Sequence, residues 1–487
     1  MKSQLTRREV LRFIGLGSLG VALAACQPQV IKETVVVEKE KVVEKPVEKV
    51  VEKTVEVEKQ VEVTKVVEKV ITQAPAPKAP VTINTIVSLN PSGGKSYWDA
   101  AKALYEKTYP GRKVEFDIPG DWDTLRKSIG IAIATGEALD GFSCQEGDAG
   151  RFWKQGAAGP LDDLRDADKR WTMEKWSKAC HMQITYEYTY NKHLIAIPQY
   201  TAPMFWVYNK AKFEEYGLKP PDDWDQFRQV AKEFQAKGHQ YPFWICAPGA
   251  WCGHYQIWAF GAPGVTNDAG DKQMLDSPEI LACIENWWNL YRVDKVCNLD
   301  WELKQAPNTI AEAENGNLFM WEEGPWAMRG SYKENAKLFP IIGVYPRAAG
   351  PKGRIGNVGG SCSMLSSRTK YPTEVWDFFM TGNDEELLAN EWLIPYLDTV
   401  PPIGAYEKPQ VRQQAPIMAD MKAIMEAEGR TVWNVPWYWD VVAIHDGMLK
   451  EMIKLGSWKE AKAIVPDFAK QAQKAIEEGI AKFGEKE

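Results

Sequence analysis

The chain has 487 residues, 45% hydrophobic and 26% charged, an ordinary soluble composition but too long for one core, so two or more α/β-sized units of roughly 100–200 residues are expected. Its net charge is −7; setting aside residues 1–25, with four Lys/Arg and one Glu, leaves 55 basic against 65 acidic residues, a balance of −10. This argues against nucleic acid, whose binding needs clustered cations, while 21 Trp, all between Trp98 and Trp458, point toward an aromatic-lined ligand surface.

Residues 1–25 read as a targeting segment. Thr6-Arg7-Arg8-Glu9-Val10-Leu11-Arg12 supplies a twin-arginine basic region and residues 13–25 an apolar one too short for a membrane span. Leu23-Ala24-Ala25-Cys26 resembles a bacterial lipobox, which implies cleavage before Cys26 and acylation of its thiol. Each buried acyl methylene contributes about 0.8 kcal/mol, so a multiply acylated Cys26 would hold the chain on the outer face of the cell membrane. Residues 26–79 are then a stalk. Within residues 31–71 there are fifteen Val, nine Lys and ten Glu, with Val36, Val43, Val50 and Val57 seven apart. That spacing suits a coiled-coil seam and self-association through the stalk; Pro46 and the β-branched Val suit an extended charged spacer. Both readings stay open.

Residues 81–87 read as a strand, 97–108 as a helix, 114–118 as a strand and 122–135 as a helix. Such alternation implies a largely parallel sheet covered by helices, with ligands at the carboxyl ends of the strands. Those ends carry Asn90 and Ser92 in one loop and Glu146 and Asp148 in another. Further on, the apolar run Leu318-Phe319-Met320-Trp321 follows the turn Asn315-Gly316-Asn317 and reads as a buried strand. Glu322-Glu323-Gly324-Pro325-Trp326 breaks it, with Pro325 where a helix would begin. Carboxylates beside an indole suit a polyhydroxylated ring, whose C–H faces stack on Trp while its hydroxyls bond to charged acceptors. A core Trp at an acidic turn is the plainer alternative.

Gly136-Glu137-Ala138-Leu139-Asp140, Glu146-Gly147-Asp148-Ala149-Gly150-Arg151-Phe152-Trp153, Pro160-Leu161-Asp162-Asp163-Leu164, Trp206-Val207-Tyr208-Asn209-Lys210, Glu323-Gly324-Pro325-Trp326 and Val358-Gly359-Gly360-Ser361 occur in an order and spacing that together resemble the extracellular solute-binding lipoproteins of ABC sugar importers, the group that includes maltose-binding protein. The resemblance covers roughly residues 81–482. It implies a two-lobed, type II periplasmic-binding-protein-like α/β fold, with lobe 1 from 80–199 plus 361–400 and lobe 2 from 200–360 plus 401–487. It also implies a carbohydrate held between the lobes and closure around it as a rigid-body motion read by a membrane permease. Tyr200 and Thr201 would sit at the first hinge and Gly360 and Ser361 at the second crossing. Glu323, on the opposite strand face from Glu322, would join Trp326, Trp251, Trp437 and Trp439 on the far wall. Relatives often carry an acid just beyond the hinge; this chain has Ala202 there, which leaves the ligand open.

No catalytic residue, cofactor or metal is expected. Five His give no zinc-like quartet, and no nucleophile elbow or Walker loop occurs. A secreted carbohydrate hydrolase and a carrier of a non-sugar solute such as a polyamine are the alternatives, since acids beside aromatics serve both. Apart from Cys26 the chain has seven Cys, among which Cys246–Cys252 and Cys283–Cys297 are close enough in sequence to be bridges in an oxidising compartment.

Overall fold

The computed structural model describes residues 80–88, 94–246, 253–303, 307–328, 332–427, 429–431 and 434–484. All lie in the second of two compact units, Ala79–Glu487. The leader, Cys26, the stalk, Asn90, Ser92, Trp251 and Cys252 fall outside the described residues.

The strands that build the two main sheets are β1 (Val81–Ile86), β2 (Arg112–Asp117), β3 (Gly141–Gln145), β4 (Ile197–Pro203), β5 (Phe205–Asn209), β6 (Phe243–Trp244), β7 (Met320–Glu323), β8 (Ile342–Tyr345), β9 (Gly356–Leu365) and β10 (Gly429–Arg430). The first sheet has the order β10-β9-β3-β1-β2, with β4 also paired to β9; the second has the order β8-β5-β7-β6. β1 is parallel to β2 and β3, as the alternation of strands and helices implies. β9, however, runs antiparallel to β3 and β4, so the first sheet is mixed rather than largely parallel. The cause is connectivity: β9 arrives from the second sheet, not through a crossover helix packed on the first.

Local chemistry sets the helix limits. In α1 (Lys95–Thr108), Tyr97, Trp98, Ala101 and Tyr105 form the buried stripe. α2 (Trp122–Thr135) starts where the Asp121 carboxylate accepts from the Thr124 N–H at 2.8 Å and stops at Gly136, left-handed with φ 72°. α3 (Lys178–Tyr186) is capped by Ser177, and α4 (Trp224–Ala236) by Asp223, burying Phe227, Ala231 and Phe234. α5 (Pro278–Arg292) and α6 (Pro372–Gly382) both carry Pro in the first turn.

Trp98, Trp176, Trp376 and Trp392 belong to one hydrophobic core, and Trp206, Trp258, Trp287 and Trp437 to a second. Much of the Trp excess is therefore consumed by packing. Strand alternation makes the second sheet serve both cores, with Phe205 and Val207 joining the first and Trp206 and Met320 the second.

The late chain packs against both sheets, with Met418–Glu426 touching Ile342–Tyr345 as well as Ile197–Pro203. Residues 401–427, expected in lobe 2, pack on the first core through Tyr406, Val411 and, on α7 (Met418–Glu426), Met418, Met421 and Met425. Pro401 O accepts the Ser177 N–H at 2.9 Å, which keeps this segment beside α3. β10 pairs with β9, and only after it does the chain enter the second core, at Val435. α8 (Tyr438–Lys454) and α9 (Val465–Phe483) complete that core.

Candidate ligand-binding site

The chain passes between the sheets at Met204, which separates β4 from β5, and again between β8 and β9. β4 and β9 lie side by side there, with Thr201 opposite Gly360 and Ala202 opposite Gly359. Thr201 is fully buried; its Oγ1 donates to Gln183 Oε1 at 2.8 Å, while Gln183 Nε2 donates to Gly359 O at 3.0 Å. Thr201 thus braces the crossing strands through α3. Gly360 is obligatory by contact, because a Cβ there would stand 2.0 Å from Tyr200 O. Ser361 is buried beside it, with its carbonyl accepting from Tyr188 Oη at 3.3 Å.

The end of β3 is sealed onto the same strand. Glu146 Oε2 accepts the Gly360 N–H at 3.0 Å, and the Glu146 N–H donates to Gly360 O at 3.2 Å. The Trp439 indole N–H donates to Glu146 O at 3.1 Å. Glu187, which nothing in the sequence singled out, completes this node: it accepts from the Gly147 N–H at 3.0 Å and the Thr431 hydroxyl at 2.8 Å, and its carbonyl accepts from Asn434 Nδ2 at 2.5 Å. Complete burial, reinforced by the neighbouring Glu146 carboxylate, pushes the Glu187 carboxyl well above its usual range. Asp148 is also buried and receives Arg126 Nε at 2.7 Å. Burial pushes its carboxyl up against the pull of that guanidinium. Glu146, Gly360 and Trp439 are thus brought together, but both predicted acids of this loop are engaged inside the protein.

The second acidic stretch separates as strand alternation requires. Glu322 is buried and faces Arg347, with Oε1 and Nη2 2.5 Å apart but without hydrogen-bond alignment; its Oε2 accepts the Cys246 N–H at 3.0 Å. Glu323 is partly exposed, and the scarcity of water around it pushes its carboxyl up to about 7. Trp326 follows on the short helix Pro325–Ala327, its ring folded over Gly324 so closely that a Cβ there would meet it at 2.1 Å. The helix packs on β4. Trp326 is partly buried and touches both cores, so an indole face and a near-neutral carboxyl stand together where the second sheet meets the crossing. Such a pair stacks on apolar ring faces and exchanges hydrogen bonds with hydroxyls.

Two expected ligand residues are core residues instead. Tyr200 is buried with its hydroxyl donating to Asp398 Oδ1 at 2.7 Å and its ring beside Trp392. Trp437 is 1% exposed, donates its indole N–H to Gly270 O at 2.9 Å and packs against Gly479. The expected Cys283–Cys297 bridge is likewise absent, and both are buried free thiols: Cys283 lies near Arg347 and Glu322, Cys297 near Glu302 and Asp294. Among the described residues no group of three His, Cys, Asp or Glu is placed to hold a metal, and no helix is long and apolar enough to cross a membrane.

The sequence profile of the bacterial extracellular solute-binding proteins matches residues 89–394. The multiple sugar-binding protein of Streptococcus mutans is 23% identical over 39% of this chain and 48% of its own length; the match spans about half of that relative. Among solved structures, maltose-bound MalE3 of T. maritima superposes with a TM-score of 0.64 at 18% identity, covering 82% of this chain and 99% of that one. The sugar-binding protein MalE from Xanthomonas citri gives 0.69 at 16% identity, covering 82% and 98%. The cyclic alpha-maltosyl-1,6-maltose binding protein from Arthrobacter globiformis gives 0.66 at 14%, covering 83% and 100%. These likenesses establish the two-lobed fold.

Proposed function

Because the chain belongs to the bacterial extracellular solute-binding protein family, we propose that it captures a carbohydrate between its two lobes and delivers it to the permease of an ABC importer. The observation that carries this reading is Trp326, a partly exposed indole touching both cores beside Glu323. The names of the relatives support the same class: a multiple sugar-binding protein and binding proteins for maltose and a cyclic maltosyl sugar.

We assign residues 80–203 and 356–427 to one lobe and residues 205–345 and 434–484 to the other, following the two sheets and, for residues 401–427, their packing on α3 and β4. The protein binds without turnover. Glu322 is committed to Arg347, so it and Glu323 cannot flank one glycosidic bond as a hydrolase requires. A neutral polyol fits better than a polyamine, since Glu146 and Asp148 are already bonded to Gly360 and Arg126. The family places the chain outside the cytoplasm; acylated Cys26 holds it on the membrane, and the stalk of residues 26–79 lifts it toward the permease and offers a surface for self-association.

Calorimetric titration against a panel of mono- and oligosaccharides and polyamines tests the function. Saturable heat with a sugar, and no new product by chromatography, is the expected result. Sugar cleavage, or binding of polyamines alone, would overturn it. Labelling with an alkyne fatty acid tests the anchor: wild type should take up label and Cys26→Ser should not.

A further inference from the structure

Cys144 lies on β3 and Cys362 on β9, directly opposite each other in the antiparallel ladder. Their Sγ atoms are 3.3 Å apart, and both residues are buried. Directly opposed antiparallel residues have Cα atoms about 4.5–5.5 Å apart, inside the roughly 4.4–6.8 Å that a disulfide spans. The sulfurs need only small side-chain rotations to reach about 2.05 Å. Next to this pair the ladder between β9 and β4 shifts register between Ser361 and Cys362, and such irregularities add local twist.

We propose that Cys144 and Cys362 are a disulfide site that locks the crossing strand β9 to β3 when the chain matures outside the cytoplasm. The two thiols lose two protons and two electrons and form one S–S bond; a protein or small-molecule disulfide donor accepts the electrons and protons, and its own S–S bond becomes two thiols. That compartment supplies such donors. The closed sheet shields both sulfurs from attack, so the bond forms while β9 is parted from β3, before docking or in a later opening. Cys144 precedes Glu146 by two positions and Cys362 follows Gly360 by two, so the bond clamps the ladder on which the Glu146–Gly360 hydrogen bonds sit. It fastens the crossing whatever solute the cleft takes.

The test uses the full chain exported to an oxidising compartment, alkylated under denaturing, non-reducing conditions, digested and mapped by mass spectrometry. The expected result is a Cys144 peptide joined to a Cys362 peptide that separates on reduction. Reduction under unfolding conditions followed by refolding with reductant kept present should lower the melting temperature by about 5 °C or more. In Cys144→Ala, Cys362 should become alkylatable. Two alkylated thiols at positions 144 and 362 in the exported wild type, or Cys144 joined to any other cysteine, would overturn the proposal without recourse to a variant.

Discussion

Trp326 and Trp437 are the same residue type with opposite tasks. Trp326 is partly exposed between two cores, whereas Trp437 is enclosed by Gly270, Val435 and Gly479. Trp326→Ala is therefore expected to weaken sugar binding by more than about 1 kcal/mol while lowering the unfolding midpoint less than Trp437→Ala does. Trp437→Ala should cost about 3–5 kcal/mol of stability through the cavity it leaves. Titration and chemical denaturation of the two variants check this, and equal effects on binding would remove the distinction. The carboxyls make a second prediction. Burial pushes Glu302, Glu323 and Asp446 each up to about 7, against about 4 in the unfolded chain. Between those values the folded chain binds more protons than the unfolded one, so stability falls as pH rises toward 7 and levels off above it. His445, pushed down to about 4 by burial, acts oppositely, losing stability as pH falls below about 6.5; His239 shifts the same way. The carboxyls dominate, and the protein should be more stable at pH 5.5 than at pH 8. Glu323→Gln should flatten that difference in a denaturation series; an unchanged slope would show that Glu323 is not among its causes.

At the scale of elements, the site depends on turns that bring strand ends against later segments. Gly147 shows how tightly: its φ is +77° and a Cβ would lie 2.8 Å from the Trp439 indole nitrogen. Gly147→Ala should lose at least about 1 kcal/mol from backbone strain alone, and more from displacing Trp439 from the Glu146 carbonyl. Guanidinium unfolding would register the loss, and a neutral result would mean that the α8 end yields easily. This also marks what the sequence could disclose. Periodicity revealed β1, β2 and α2, because that signal is local, and the structure bounds α2 by equally local chemistry, with Asp121 capping three residues ahead and Gly136 stopping the helix. The separation of Glu322 from Glu323 followed from alternation. By contrast, Glu187 is a lone acid after a short helix, and its importance comes from Gly147 and Thr431, distant in sequence. Trp437 misled for the same reason, since nothing beside it in the chain reports its packing against Gly479. Likewise, the short spacing of Cys283 and Cys297 suggested a bridge, while the close sulfur pair is Cys144 and Cys362, 218 residues apart.

Over the whole molecule, the two sheets are joined by the crossing at Met204 and the return into β9, and the chain passes from β10 to the second core at Val435. The last is clasped on both sides. Arg151 Nε donates to Pro436 O at 2.8 Å and its Nη2 lies 3.1 Å from Asp440 Oδ2, while the Arg430 guanidinium lies 5.5 Å over the Trp258 ring. Two of these crossings are strands paired to each other through Thr201 and Gly360, which bend together and resist sliding. If the lobes close as proposed, rotation about this ladder is the motion the paired strands permit, the geometry of hinge closure. A ligand that touches both walls gains its affinity partly by selecting the closed arrangement, so its binding energy appears as both compaction and stability. A sugar at 100 times its dissociation constant should stabilise the fold by roughly 2.7 kcal/mol and reduce the radius of gyration in small-angle scattering. Trp326→Ala, saturated with the same sugar at higher concentration, should still compact, because the hinge is intact and only one contact is lost. Tight binding by the wild type with no change in dimensions would mean that the ligand rests on one lobe, and the crossing strands would then be a structural brace and no hinge.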